Sequence, residues 1–119
     1  MKIKNKKVMN ILQIDKIIDI CERNNIRAKV NVPLLRIMKA LAFNIDIDHN
    51  IITDCINTII TLLTGQYITK HNMQLVDLQE SIQNRKLGYV PNFLPIVDSI
   101  AEDIYLLCDI YYKFQNMMG

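Results

Sequence analysis

The strongest constraint on the fold lies in the last quarter of the chain, where Val97, Ile100, Ile104, Leu107, Tyr111 and Phe114 alternate spacings of three and four without a slip. Such a run puts all six side chains on one face of an α-helix and makes a packing seam along a nearly straight rod. A seam needs a surface to pack against. This one is too short for an extended coiled coil, so an antiparallel neighbour inside a bundle is the simplest partner, with a homodimer seam as the other. The helix is expected over residues 96–116.

The rest of the chain is punctuated by only three Gly and three Pro, and most segments between them carry helical rather than alternating periodicity. A first helix is expected over residues 8–24, with Ile11, Ile14, Ile18 and Cys21 as its apolar stripe, Ile17 widening it, and Asn24 and Asn25 as its stop. Pro33 fits the first position of a second helix, residues 33–44. Leu34, Leu35, Ile37, Met38, Leu41 and Phe43 wrap most of its circumference, so it is expected to be the central, deeply buried helix.

The third segment, residues 49–64, opens after Asp48 as N-cap and closes at Gly65. Its many Ile and Thr residues favour strands, whereas Ile52, Cys55, Ile56, Ile59 and Leu63 recur at helical spacing. Periodicity and the length of the run decide for a helix. A fourth helix over residues 72–86 carries Leu75, Leu78 and Ile82 and ends before Gly88. Residues 88–95 hold Pro91 and Pro95 and form a loop with two aromatics, Tyr89 and Phe93.

With 119 residues, half of them hydrophobic and 22% charged, the chain is long enough for one core and too apolar for intrinsic disorder. The expectation is an all-α, compact bundle of about five helices in a single domain, residues 8–119, preceded by a basic arm, residues 1–7. Arg36, Lys39, Asp54 and Asn57 interrupt the richest apolar stretches, so no membrane span is expected. Asn10, Gln13, Asp15 and Lys16 break the segment that would have to serve as a signal-peptide core. Cys21, Cys55 and Cys108 are odd in number and lie among apolar neighbours, which reads as free thiols in a reducing, cytoplasmic setting. Heavy use of Ile and Asn, with no Trp, matches an AT-rich genome such as that of a low-GC bacterium, a phage or a large DNA virus.

The net charge of +2 conceals a split. Residues 1–39 hold ten Lys or Arg against three acids, and residues 40–119 hold four against nine. The simplest account is solvation, or packing of the basic third beside an acidic last helix whose Asp98, Glu102 and Asp109 face outward. The alternatives are an acidic protein partner and nucleic-acid binding through Lys4, Lys6, Lys7, Arg23, Arg27 and Lys29, with Lys2 on the same arm. A helix-turn-helix would need a turn at residues 64–67 followed by a basic recognition helix. Residues 72–86 place their only cations, Arg85 and Lys86, at the far end.

Other chemistry is thinly represented. Asp46, Asp48 and Asn50 alternate like the start of a calcium loop, but Ile51 stands where Gly is needed and Asn57 where a bidentate Glu is needed, so helix capping is the reading. His49 has neither Cys55 nor His71 at a structural-zinc spacing, and no metal or cofactor is expected. Asp98 and Glu102 stand one turn apart with nothing to split their pKa values, and the sequence has no Gly-rich phosphate loop and no nucleophile elbow, so an enzyme is not expected.

The aromatics remain. Tyr105 and Tyr112 lie on the flank of the last helix outside its seam, and with Tyr89, Phe93 and Asp109 they form the expected partner-binding surface. The functional expectation is a small non-enzymatic protein-binding module, a regulator, adaptor or complex subunit, acting on a protein partner or on a second copy of itself.

Overall fold

The computed structural model describes residues 2–3, 13–89 and 93–118, and its first helix, α1, spans Ile14–Arg23. Gln13 sits in the left-handed region at φ 53°, so the helix starts at Ile14, and residues 8–12 of the expected helix lie outside the described residues. Its buried line is Ile17, Ile20 and Cys21, while Ile18, expected in the stripe, is only half-buried. The helix stops at the expected Asn pair, where Asn25 takes φ 59°.

After a 3-10 turn (Arg27–Val30), α2 spans Asn31–Phe43. It starts two residues before Pro33, which stays in the first turn, where backbone N–H groups have no intrahelical partner to lose. The expectation of a central helix fails here. Only Leu34 and Ile37 are buried, and Val32 and Phe43 are about 70% exposed. Hydrophobicity around the whole circumference measures what a helix can bury, and only the faces that neighbours reach are buried.

The centre is α3 (His49–His71), which packs against α2, α4 and α5 and buries nine of its residues, from Ile52 to Tyr67. The Asp48 carboxylate caps it by accepting the Asn50 N–H at 2.8 Å, as the capping reading of Asp48 requires. Just before it, β2 (Ile47–Asp48) pairs antiparallel with β1 (Lys2–Ile3), so the backbone at the start of the arm is tied to the bundle. The strand-like threonines are accommodated by back-bonding. The hydroxyls of Thr58, Thr61, Thr64 and Thr69 each donate to the carbonyl four residues earlier, at 2.7–2.9 Å, so none competes for the helix N–H groups.

Gly65 does not end this helix, as expected, but lies inside it. The stop is Asn72, which adopts φ 53°, just as Asn44 at φ 55° ends α2. Asn does here the work that Gly does in most helix ends. By length and composition α3 would suffice to cross a membrane, and half of the stretch that meets this criterion is buried by the other helices.

Helix α4 (Leu75–Lys86) buries Leu78 and Ile82, and α5 (Ser99–Met118) lies against both α3 and α4. Of the expected seam, Ile104, Leu107 and Phe114 are buried and Ile100 and Tyr111 half-buried, whereas Val97 precedes the helix and is exposed. Among the described residues the fold is an all-α bundle of five helices around α3, as the periodicity requires.

Candidate functional site

The end of the bundle where α4 gives way to the aromatic loop is built on four side chains. Phe93 is 5% exposed and meets the Tyr105 ring edge-on, with centroids 4.4 Å apart. The Tyr105 hydroxyl accepts the Leu94 N–H at 3.1 Å and so pins the returning loop. Arg85 stands over the same ring, 5.7 Å from its centroid, and donates to Asp109 at 2.7 Å. Phe93 and Tyr105 therefore form the base of this end rather than its outer surface, because a Phe that follows a proline-bearing loop buries more area by folding back onto the bundle than by facing water. Asp109 is likewise engaged within the fold.

Two of the expected binding residues remain outward. Gly88, at φ 79°, turns the chain out of α4, and a Cβ there would come within 3.9 Å of the Tyr112 hydroxyl. Tyr112 thus lies beside the residue that precedes Tyr89, and Tyr112, Tyr89 and Leu87 are 43%, 72% and 51% exposed. The result is an amphipathic patch held on a fixed support.

The basic residues of the alternative reading are dispersed. Lys4, Lys6 and Lys7 lie outside the described residues. Arg23 is committed to carboxylates: it pairs with Asp19 on its own helix and grips Asp103 of α5 through Nε at 3.3 Å and Nη2 at 2.6 Å. Arg27 pairs with Glu22 at 3.2 Å, while Lys29 is exposed. The first turn of a helix-turn-helix is also missing, because residues 64–67 are continuous helix. Among the described residues, an ion pair between the basic third and the acidic last helix is thus realised once, by Arg23 and Asp103.

That contact was hidden from sequence reading. Asp103 is buried, at 5% exposed, and accepts from Asn24 Nδ2 at 2.8 Å besides Arg23. Helical arithmetic contains the signal, since 103, 107, 110 and 114 share one face and the last three are apolar core positions. Asp98 also departs from expectation. It precedes α5 instead of lying on its outer face, caps the helix through the Ala101 N–H at 2.9 Å, and binds Lys70 at 2.9 Å and His71 at 2.7 Å. Burial raises the affinity of Asp98 for a proton, but those three donors outweigh it and hold the carboxyl well below the usual carboxylate range.

The three cysteines are free and buried. Burial pushes the Cys21 thiol up to about 11 and those of Cys55 and Cys108 up to about 12. His49 stacks on Phe114 with centroids 5.0 Å apart, and His71 lies at the opposite end of α3, about 33 Å along the axis at 1.5 Å per residue. These two His residues cannot meet at one metal ion. Among the described residues no group of three or more His, Cys, Asp or Glu is placed to hold one.

Comparisons of the chain with protein-family models, with curated proteins and with solved structures return no match.

Proposed function

We propose that this chain is a small non-enzymatic protein-binding module whose docking surface is the bundle end formed by Leu87, Tyr89 and Tyr112. The observation that carries the reading is the exposure of Tyr89 and Tyr112 on either side of Gly88, above a base fixed by Phe93, Tyr105, Arg85 and Asp109. Rigid, exposed tyrosines offer contact area at little entropic cost, which is why interfaces are rich in them. The buried, proton-holding thiols fit a role without nucleophilic chemistry and a reducing, cytoplasmic setting.

Photo-cross-linking in cells from a benzoylphenylalanine placed at position 89, with position 58 on the exposed side of α3 as control, tests this directly. A discrete partner captured from 89 and not from 58, and lost in Tyr112→Ser, supports the reading. Sedimentation velocity of wild type and Tyr89→Ser/Tyr112→Ser then separates a second copy of the chain from a different protein. Equal capture from both positions, or capture indifferent to Tyr112, overturns it.

The nucleic-acid alternative keeps Lys29 with Lys4, Lys6 and Lys7, while Arg23 and Arg27 are paired with acids. Its test is fluorescence anisotropy with labelled single-stranded DNA, duplex DNA and RNA at two salt concentrations. Affinity that falls steeply with salt and disappears on neutralising the arm lysines would put this alternative first.

A further inference from the structure

A second candidate site lies in the groove between α3 and α4, whose lining includes none of Tyr89, Tyr105 and Tyr112. The two helices run antiparallel, which sets Lys86 beside Asn57 and leaves a cavity of about 290 Å³ along the helix pair, bounded by Thr61, Leu75, Ile82 and Gln83. It lies close to the small end of the range for small-molecule pockets, about 300 to 1,000 Å³. The groove extends along α4 from Leu75 to Lys86, about 16 Å at 1.5 Å per residue.

Lys86 gives the groove its chemistry. The side chain is half-buried, its Nζ donates to the Asn57 Oδ1 at 2.6 Å and sits 4.7 Å from the centre of the Tyr111 ring. Both partners are neutral. No carboxylate among the described residues pairs with Lys86, and none of the remaining positions of the chain holds an Asp or Glu side chain. Arg85, its neighbour on the helix, has Asp109. A partly desolvated ammonium with neutral partners alone is costly, and burial lowers its hold on its proton. An anion arriving in the groove would recover that cost, assisted by the amide of Gln83 and the apolar walls of Ile60, Leu75 and Ile82.

We propose that the α3–α4 groove binds a small amphipathic monocarboxylate, its head group on the Lys86 ammonium and its hydrocarbon end against Ile60, Leu75 and Ile82. A single cation matches a single negative charge, and the apolar wall selects a hydrocarbon tail over an inorganic ion.

Octanoate is the probe, titrated into the full chain labelled with 15N and followed by amide chemical shifts. The expected result is saturable movement centred on Asn57, Thr61, Gln83 and Lys86, with octan-1-ol and inorganic phosphate each at least about tenfold weaker, as a lost charge-assisted hydrogen bond or a lost apolar contact predicts. Lys86→Met keeps the stem and removes the charge, and octanoate affinity should fall about tenfold while the circular dichroism is unchanged. Absence of saturable shifts, equal binding of octan-1-ol or of phosphate, or undiminished octanoate binding by folded Lys86→Met overturns the proposal. The wild-type comparison of the three probes decides the question even if the variant does not fold.

Discussion

The guanidinium of Arg23 and the carboxylate of Asp103, eighty residues apart, form a two-point contact in which Nε and Nη2 each face one carboxylate oxygen, at 3.3 and 2.6 Å. Asp103 is almost wholly buried while Arg23 is half-exposed, so the pair closes α1 over α5 with its acidic member inside and its basic member at the surface. Removing either partner has unequal consequences. Without Arg23, the buried carboxylate keeps Asn24 as its one donor among the described residues.

Arg23→Met is therefore expected to cost about 2–3 kcal/mol, the range for a charge-assisted hydrogen bond whose loss strands a buried group. The double variant Arg23→Met/Asp103→Leu should recover most of that loss, because an apolar pair leaves no charge to desolvate. Urea unfolding of the two single variants, the double variant and wild type gives the coupling; equal loss in the double and in Arg23→Met would refute this account.

Gly65 lies within α3, and a Cβ there would meet nothing within 4 Å. Gly65→Ala should then stabilise the protein by about 0.5–1 kcal/mol, since Ala loses less backbone entropy in a helix and no neighbour needs to move. A rise in the urea midpoint without a change in slope is the readout. A fall would show that the helix is interrupted at this position.

Asp98 supplies acid sensitivity. Its carboxyl is held below its unfolded value of about 3.9, so its contribution to stability is fully present above about pH 4 and is lost as pH falls through the depressed folded value. Asp98→Asn should be less stable at pH 7 and should lose stability less steeply than wild type between about pH 4 and pH 2. Parallel stability–pH curves for the two proteins would contradict this.

The thiols provide a check on packing. Cys21, Cys55 and Cys108 are each at most 2% exposed and hold their protons far above neutral pH. Dithiobisnitrobenzoate at pH 8 should titrate none of them rapidly in the native protein and all three in guanidinium. Fast native reaction at any one would mean that its surrounding helices open readily.

Phe43 and Leu34 lie on the same helix, one exposed and one buried. Phe43→Ser is expected to change stability by no more than about 0.5 kcal/mol, and Leu34→Ala to cost about 2–5 kcal/mol. Comparable losses would restore α2 to the central place that its composition suggested.

The helices were legible in the sequence because their signals are local. Spacings of three and four between Ile104, Leu107, Tyr111 and Phe114, the cap at Asp48 and the stop at Asn25 depend on residues within one or two turns. The loop at Gly88 and the outward Tyr89 and Tyr112 were legible for the same reason, as was the all-α class. Gly65 misled because Gly permits a helix end without requiring one, and the end falls at Asn72, which takes the left-handed conformation that closes the helix.

By itself, then, the sequence determined which segments are helical and where punctuation allows them to turn. The tertiary structure decided which of them lies at the centre, α3 and not α2, and which charges meet: Arg23 with Asp103, Asp98 with Lys70 and His71, and Lys86 with no carboxylate among the described residues. Burial and charge pairing are properties of two surfaces brought together across tens of residues, and hydrophobic periodicity along one helix says how much area there is to cover without saying which neighbour will cover it.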